Sequence, residues 1–222
     1  MASVRRKIVV IGSGLAGMFA SLRIAEHHDV LLVTKDALGA GSTAWAQGGI
    51  AAAVGPEDTV TAHVVDTLEA GAGLTDPVVA SVVCADAPRR VDDLARLGVV
   101  FDRAGDGLAL AREGAHSRPR VVHAGGDATG RHVADALAAR VRTTPRIELL
   151  ERTAVAELLV ADAGVTGVRL ANGAVVPADR VVLATGGSGH VFARTTARVR
   201  GSPRSPQCAR PTASTLPPTP CP

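Results

Sequence analysis

Two apolar runs near the start of the chain flank a glycine-rich turn. Residues 4–11 include a run of β-branched residues that does not alternate with polar positions, which is typical of a strand buried on both faces. Residues 15–27, rich in Ala and Leu, predict a helix, and residues 30–34 predict a second buried strand. Strand, turn, helix and strand in this order predict a βαβ unit, in which a right-handed crossover joins two strands of a parallel sheet.

Hydrophobic periodicity predicts three more helices and several short strands. Pro88 is expected to kink or break the second of these helices, and Asn172 and Gly173 are expected to form a hairpin turn. Residues 36–55 and 112–130 are glycine-containing and follow no regular period. The helices are expected at residues 58–70, 76–97 and 131–143, and the strands at 147–150, 154–160, 165–170, 174–176 and 180–184.

The turn after the first strand has the spacing Gly-x-Gly-x-x-Gly, a fingerprint of dinucleotide binding. The first glycine permits the tight turn, the second lets the backbone approach a pyrophosphate, and the third allows the helix to pack closely on the strand. The N–H groups of the helix N-terminus then face the phosphates. An ordinary glycine turn also fits this spacing, but its place between a buried strand and a helix favours dinucleotide binding. The expected binding residues are Gly12, Ser13, Gly14, Leu15, Ala16 and Gly17.

Two neighbouring residues compete for the ribose at the end of the second strand. Dinucleotide-binding domains place an acid there, and Asp36 directly follows Thr34 and Lys35. Either Asp36 binds the ribose, or Lys35 contacts the ribose or a phosphate.

Residues 42–49, which precede Ile50 and three alanines, form the most informative stretch. Their small side chains and backbone donors suit a loop against a flat ring, although an Ala- and Gly-rich surface loop also fits. The stretch resembles the pattern Ser-Thr-x-x-Ala-Gln-Gly-Gly-Ile-Ala-Ala of the succinate dehydrogenase and fumarate reductase flavoproteins, and among them of the L-aspartate oxidase family. In that family the pattern wraps the pyrophosphate and isoalloxazine of FAD. The resemblance implies FAD contacts from Lys35, Ser42, Thr43, Ala44, Trp45, Ala46, Gln47, Gly48 and Gly49.

The resemblance also implies how FAD is held and how the domain is built. Relatives that bind FAD covalently carry a histidine where this chain has Ser42, so non-covalent FAD is expected. The implied fold is α/β: a Rossmann-like FAD-binding domain with a parallel sheet and a small β-meander insertion, incomplete because it lacks the family's capping domain. Residues 181–187 resemble the strand and turn that return to the flavin, with Gly186 and Gly187 at the cofactor, and the preceding strands fit the meander. A plain strand and glycine turn would explain these residues equally well in isolation.

A second match lies in the polar stretch that follows the third predicted helix. Residues 112–117 and 120–130 resemble the L-aspartate oxidase pattern Arg-Glu-Gly-x-His-Ser…Arg-x-x-His-Ala…Asp-x-Thr-Gly. The resemblance implies that Glu113 meets the α-ammonium group of the substrate, for which a carboxylate is a charge-assisted acceptor. Succinate has no amine, so Glu113 would distinguish the two substrates. Alternatively, Glu113 is a solvated loop charge and His116 and His123 are structural.

Composition and charge argue against several other classes of protein. The 222 residues are 46% hydrophobic, which is enough for a sizeable core. The pI near 9.1 reflects residues 195–222, which hold four arginines and no acid and leave 20 basic against 21 acidic residues in 1–194. A nucleic-acid partner is therefore not expected. No apolar window approaches a membrane span, and three cysteines without metal-ligand spacing favour a reducing, cytoplasmic location.

The last residues differ in composition from the rest of the chain. Seven of the 13 prolines lie in the last 28 residues, so an FAD-binding domain of residues 1–195 is expected to precede a disordered tail of residues 196–222. The tail resembles nothing in the family, and its Pro, Arg, Ser and Thr bias is what a GC-rich gene can give when read out of phase. A truncated or frameshifted product is our hypothesis.

The implied reaction is the FAD-dependent oxidation of L-aspartate to iminoaspartate, the first step toward quinolinate and NAD. Oxygen or fumarate is the implied electron acceptor, and quinolinate synthase is the implied partner. One alternative is an FAD-binding remnant without activity. Another is a succinate dehydrogenase or fumarate reductase flavoprotein, against which Glu113 and Ser42 argue.

Overall fold

The computed structural model describes residues 5–187, and the predicted tail of residues 196–222 lies outside them. The helices are α1 (Leu15–Ile24), α2 (Val60–Ala70), α3 (Pro77–Arg96) and α4 (Thr129–Arg142), with short 3-10 helices at Ser42–Trp45 and Gly126–Ala128. The strands are β1 (Lys7–Ile11), β2 (Asp29–Val33), β3 (Ile50–Ala51), β4 (Arg103–Ala104), β5 (Gly107–Leu108), β6 (Leu110–Ala111), β7 (Val121–Val122), β8 (Ile147–Leu150), β9 (Val155–Ala161), β10 (Gly164–Leu170), β11 (Val175–Pro177) and β12 (Arg180–Leu183).

A four-stranded parallel sheet in the order β12-β1-β2-β8 forms the centre of the domain. Successive residues of β1 point to opposite faces. Val10 packs with residues of α1 and α4, whereas Val9 packs with Val168 and Leu170 of β10. Both faces are therefore covered, which explains why the strands read as continuous apolar runs. The predicted βαβ unit and parallel sheet are confirmed.

The predicted β-meander consists of three strands. Strands β9, β10 and β11 form an antiparallel sheet, and the hairpin at Asn172 and Gly173 is confirmed, with Gly173 at a φ of +89°. Residues 147–150 form β8, which lies outside the meander because it pairs with β2 in the parallel sheet. Helix α4 buries Leu137 and Val141 in the same core as this sheet, so β8 continues the α/β alternation.

The prediction was a kink or a break at Pro88; a break is wrong, because α3 is continuous from Pro77 to Arg96, and the kink stays a prediction. The Asp76 carboxylate caps the helix by accepting the N–H groups of Val78 and Val79 at 2.8 and 3.0 Å. Beyond Pro88, Val91 and Leu94 are buried in the core. Tertiary packing therefore outweighs the local cost of a proline inside the helix.

A small antiparallel sheet joins the two loops that matched the family patterns. Strand β7 lies between β3, which follows residues 42–49, and β6, which precedes residues 112–120. A Cβ on Gly49 would collide with the carbonyl oxygen of Val122. The backbone of the first loop thus lies directly against the strand that ends the second.

Candidate functional site

The first and third glycines of the Gly-x-Gly-x-x-Gly turn are required by packing within the protein. Gly12 has a φ of +107°, and a Cβ there would collide with the carbonyl oxygen of Ala184 at the end of β12. A Cβ on Gly17 would collide with the carbonyl oxygen of Gly12. The Gly12 N–H donates to the Val33 carbonyl at 2.8 Å. The turn is therefore closed tightly between β1, α1 and β12, as the fingerprint requires.

Gly14 has no such neighbour, and this fits a bound pyrophosphate. A Cβ on Gly14 would lie 3.5 Å from Thr43 Oγ1, an ordinary contact, so packing alone does not demand glycine. Gly14 occupies the N-cap position of α1, and the first turn of that helix contains no acid. The Leu15 N–H donates to Thr43 Oγ1 at 2.9 Å. The partial positive charge of the helix N-terminus would favour an anion at the Gly14 backbone.

The loop of residues 42–49 is held in place by the first turn of α4. The Gly130 N–H donates to the Ala46 carbonyl at 3.0 Å. A Cβ on Gly130 would collide with the Thr43 carbonyl oxygen and would lie 2.7 Å from that of Ala46. Ala44 is buried in the hydrophobic core. Gly130 ends the second matched pattern but was not among the expected site residues. It lies outside the loop of residues 42–49 and shapes that loop by packing against its backbone.

Most of the predicted flavin-loop residues lie at the surface of the domain. Ser42, Ala46, Gln47 and Gly48 are exposed, and Trp45 is 48% exposed with the Arg131 guanidinium 5.8 Å from its ring centroid. Among residues 5–187, no heavy atom lies within 4 Å of a Cβ built on Gly48 or Gly186. Gly187 and Ala16 are exposed as well. The loop of residues 42–49 therefore presents mainly small, exposed residues beside the phosphate turn, to which Thr43 is bonded.

The residues around the end of β2 divide into internal and exposed groups. Ser13 Oγ donates to Thr34 Oγ1 at 2.7 Å in a buried contact, so its side chain ties the glycine turn to β2. The Asp36 carboxylate accepts the N–H of Ala37 at 2.8 Å, within its own turn. Lys35 is exposed.

The loop that carries Glu113 is folded back on itself. Arg112 Nε donates to the His116 carbonyl at 2.8 Å, and the His116 N–H donates to the Glu113 carbonyl at 3.0 Å. Glu113 is exposed, and its carboxylate has no hydrogen-bond or ion-pair partner among residues 5–187. It is therefore available to a cationic group. His123 is half-buried, and its carbonyl accepts the Asp102 N–H at 2.8 Å.

A buried ionic cluster that the sequence did not reveal lies beneath this loop. Arg120 is fully buried, and its Nε and Nη2 donate to the two carboxylate oxygens of Asp58, each at 2.9 Å. Its Nη1 lies 2.9 Å from Asp66 Oδ2, an ion pair by distance without the alignment of a hydrogen bond. The N–H and Oγ of Ser117 both donate to Asp66 Oδ2, at 2.7 and 2.8 Å. From the sequence alone, Asp58 resembles a surface charge at the start of a helix, and Asp66 resembles one on the exposed face of the same helix.

The cluster also determines the charge state of its neighbours. Burial acts to raise the pKa of Asp66, but the two Ser117 donors and Arg120 outweigh it and hold that pKa below its ordinary value. Burial, followed by the charges of Arg120 and His116, lowers the pKa of His63. His63 and His116 meet edge to face with ring centroids 6.2 Å apart. The lowered pKa of His63 favours its neutral imidazole beside Arg120, whose guanidinium is neutralised by two carboxylates.

A carboxylate also holds the loop that leads into α4. Asp102 accepts the N–H groups of Gly125 and Gly126, each at 2.9 Å, and these two bonds lower the pKa of its carboxyl group. Both glycines have positive φ, so their consecutive N–H groups turn toward one acceptor. Asp102 therefore fixes the chain that runs from His123 to the start of α4.

Within residues 5–187 no helix is long and apolar enough to cross a membrane, and no group of His, Cys, Asp and Glu is arranged to hold a metal ion. Cys84 is a buried free thiol.

Comparisons with known proteins agree with this geometry. Residues 7–215 match the protein family described as FAD binding domain. The chain is 47% identical over 193 residues to an L-aspartate oxidase of Agrobacterium fabrum, covering 85% of this chain and 37% of the relative. An L-aspartate oxidase of Nostoc is 43% identical over 194 residues, with 85% and 33% covered. The chain thus spans about a third of the length of these relatives.

Two solved structures share the fold of this chain. The Mycobacterium smegmatis Sdh1 complex matches with a TM-score of 0.77 and 30% identity, over 87% of this chain and 36% of that one. An E. coli quinol fumarate reductase matches with a TM-score of 0.79 and 27% identity, over 89% and 35%. The predicted α/β fold and its relation to this group are confirmed.

Proposed function

The chain belongs to the family of FAD binding domains, and from this premise we propose that it supplies the flavin-binding region of an L-aspartate oxidase. The observation that carries the proposal is that the phosphate turn is bonded to the flavin loop through Leu15 and Thr43, while one small sheet joins the flavin loop to the Glu113 loop. The higher identity to L-aspartate oxidases, 47% against 30% for the Sdh1 complex, supports aspartate over succinate.

The cofactor site divides into three tasks performed by residues of this chain. The turn from Gly12 to Gly17 and the N-terminus of α1 bind the pyrophosphate. The loop of residues 42–49 and Gly186 would hold the ring system, and Lys35 would contact the ribose or a phosphate. Because position 42 is Ser and not His, FAD is held without a histidyl–flavin bond. FAD supplies the two-electron acceptor for the oxidation when it is bound.

Glu113 orients the substrate in this proposal. Its unpaired carboxylate accepts a charge-assisted hydrogen bond from the α-ammonium group of L-aspartate. Succinate offers no donor at this position, so the interaction favours the amino acid. Oxygen or fumarate takes the electrons, and quinolinate synthase takes up the iminoaspartate in the cytoplasm. Both acceptors and the partner belong to the proposal.

The test is the substitution Glu113→Gln in the flavin-loaded protein. Loss of a hydrogen bond between charged groups costs about 1.5–3 kcal/mol. We therefore expect the KM for L-aspartate to rise roughly ten- to hundredfold, while the Kd of FAD stays at the parent value. Asp162→Asn, in the turn between β9 and β10, is a matched control that removes a carboxylate from the meander. An unchanged KM in Glu113→Gln would remove Glu113 from the site.

Succinate oxidation is the second candidate function, favoured by the structural similarity to the fumarate reductase. It predicts that Glu113→Gln leaves the turnover of succinate unaffected and that succinate reduces the flavin faster than L-aspartate does.

A further inference from the structure

Ser117 is the residue that connects the loop of residues 112–117 to helix α2. Both of its donors, the N–H and the hydroxyl, bind the same oxygen of Asp66, at 2.7 and 2.8 Å. Asp66 is held in turn by Arg120, and Arg120 by Asp58, whose side chain is 2% exposed. An exposed serine at the end of the loop is thus attached to a cluster that cannot rearrange without uncovering buried charge.

The rest of the loop is fixed relative to that attachment. At its base the Arg120 N–H donates to the Ala111 carbonyl at 3.0 Å. Across it, Arg112 Nε binds the carbonyl of His116, the residue before Ser117. The turn that holds Glu113 is therefore closed on both sides, whereas the Glu113 carboxylate itself has no partner in the described part of the chain. The position of that carboxylate depends on the backbone of the loop.

Stability alone is a weak explanation for this cluster. Apolar residues of similar volume are often as stabilising as a buried ion pair, because taking the charges out of water offsets most of their attraction. An ionic cluster does provide direction, since the fixed fork of a guanidinium donates to carboxylates only in particular orientations. Here the second carboxylate is directed at the loop and not at another helix.

We propose that Asp58, Arg120 and Asp66 form a positioning cluster that acts through Ser117 to hold Glu113 toward the substrate amine. The cluster touches neither substrate nor cofactor. It fixes the loop before substrate arrives, so that binding does not have to order the loop. The substrate part of this inference rests on the proposed function.

The test uses Ser117→Ala, with Ser117→Thr as the conservative rescue and Ser81→Ala as the matched control. Ser81 is also exposed, and its hydroxyl bonds to the Pro77 carbonyl inside α3. In Ser117→Ala the KM for L-aspartate should rise about tenfold, equivalent to about 1.4 kcal/mol, while kcat and the Kd of FAD change less than about twofold. Ser117→Thr should restore the KM, and Ser81→Ala should leave it unchanged.

Amide hydrogen exchange of residues 112–117 gives a second readout that needs no activity. Exchange should be faster in Ser117→Ala than in the parent and in Ser81→Ala. A parent-like KM in Ser117→Ala overturns the positioning role, as does an equal rise in Ser81→Ala or an equal loss of kcat and FAD binding. If L-aspartate does not reduce the parent protein, the proposed function fails and the substrate part with it. Exchange then decides whether the cluster anchors the loop.

Discussion

Two glycine-to-alanine substitutions in and beside the flavin loop should both weaken FAD binding, but only one of them should destabilise the domain. At Gly130 an added Cβ meets two backbone carbonyl oxygens, those of Thr43 and Ala46, which cannot rotate away as a side chain can. At Gly48 an added Cβ meets no atom of the described residues within 4 Å, and the backbone there is not in the left-handed region. Packing therefore requires glycine at position 130 but not at position 48.

The expected magnitudes follow from these contacts. Overpacking costs about 1–3 kcal/mol, and 1 kcal/mol shifts Tm by about 2–4 °C in a domain of this size. Gly130→Ala should therefore lower the Tm of the FAD-free protein by roughly 2–12 °C and also weaken FAD binding, because the loop moves. Gly48→Ala should change the stability by no more than about 0.5 kcal/mol. It should still weaken FAD binding, because its methyl group projects from the exposed side of the loop.

Thermal unfolding by circular dichroism gives Tm for the FAD-free variants, and quenching of flavin fluorescence gives the Kd of FAD. A parent-like Tm in Gly130→Ala would refute the contact between α4 and the flavin loop. A parent-like Kd in Gly48→Ala would refute the placement of this loop against the flavin.

Three further substitutions test the buried cluster and the phosphate turn. Arg120→Met should destabilise the domain by about 3–5 kcal/mol in urea unfolding, because it leaves Asp58 and Asp66 buried without a counter-charge. The pKa of Asp66 is depressed below its ordinary 3.8, so its contribution to stability is present above about pH 4 and is lost as pH falls through the lower folded pKa. In Asp66→Asn the free energy of unfolding should therefore fall less steeply between about pH 4 and lower pH than it does in the parent. Thr43→Val removes the acceptor of the Leu15 N–H and should cost about 1 kcal/mol, as loss of a helix cap does; a urea midpoint equal to the parent's would contradict this.

The sequence predicted the central sheet well because its strands are buried on both faces. Continuous apolar runs and the glycine spacing are local patterns, and they are enough to predict β1, β2 and the glycine turn that follows β1. The neighbour of β8 was not predictable in the same way. A short apolar strand fits a meander or a parallel edge equally, and only the packing of α4 decides between them.

The buried cluster was beyond sequence reasoning for a similar reason. Asp58 and Asp66 resemble solvated helix charges, and Arg120 lies more than fifty residues farther along the chain. Nothing local indicates that one guanidinium reaches both acids. The need for glycine at position 130 was equally hidden in the sequence. It comes from the carbonyl oxygens of Thr43 and Ala46, which lie more than eighty residues earlier in the chain.

Anaerobic mixing of the purified, FAD-loaded protein with L-aspartate or with succinate tests the central claim most directly. The visible absorption of the flavin reports reduction of the cofactor. We predict that L-aspartate bleaches the flavin and that succinate does so far more slowly. In Glu113→Gln the rates of bleaching by the two substrates should lie closer together. Faster bleaching by succinate, or none by L-aspartate, would contradict the account.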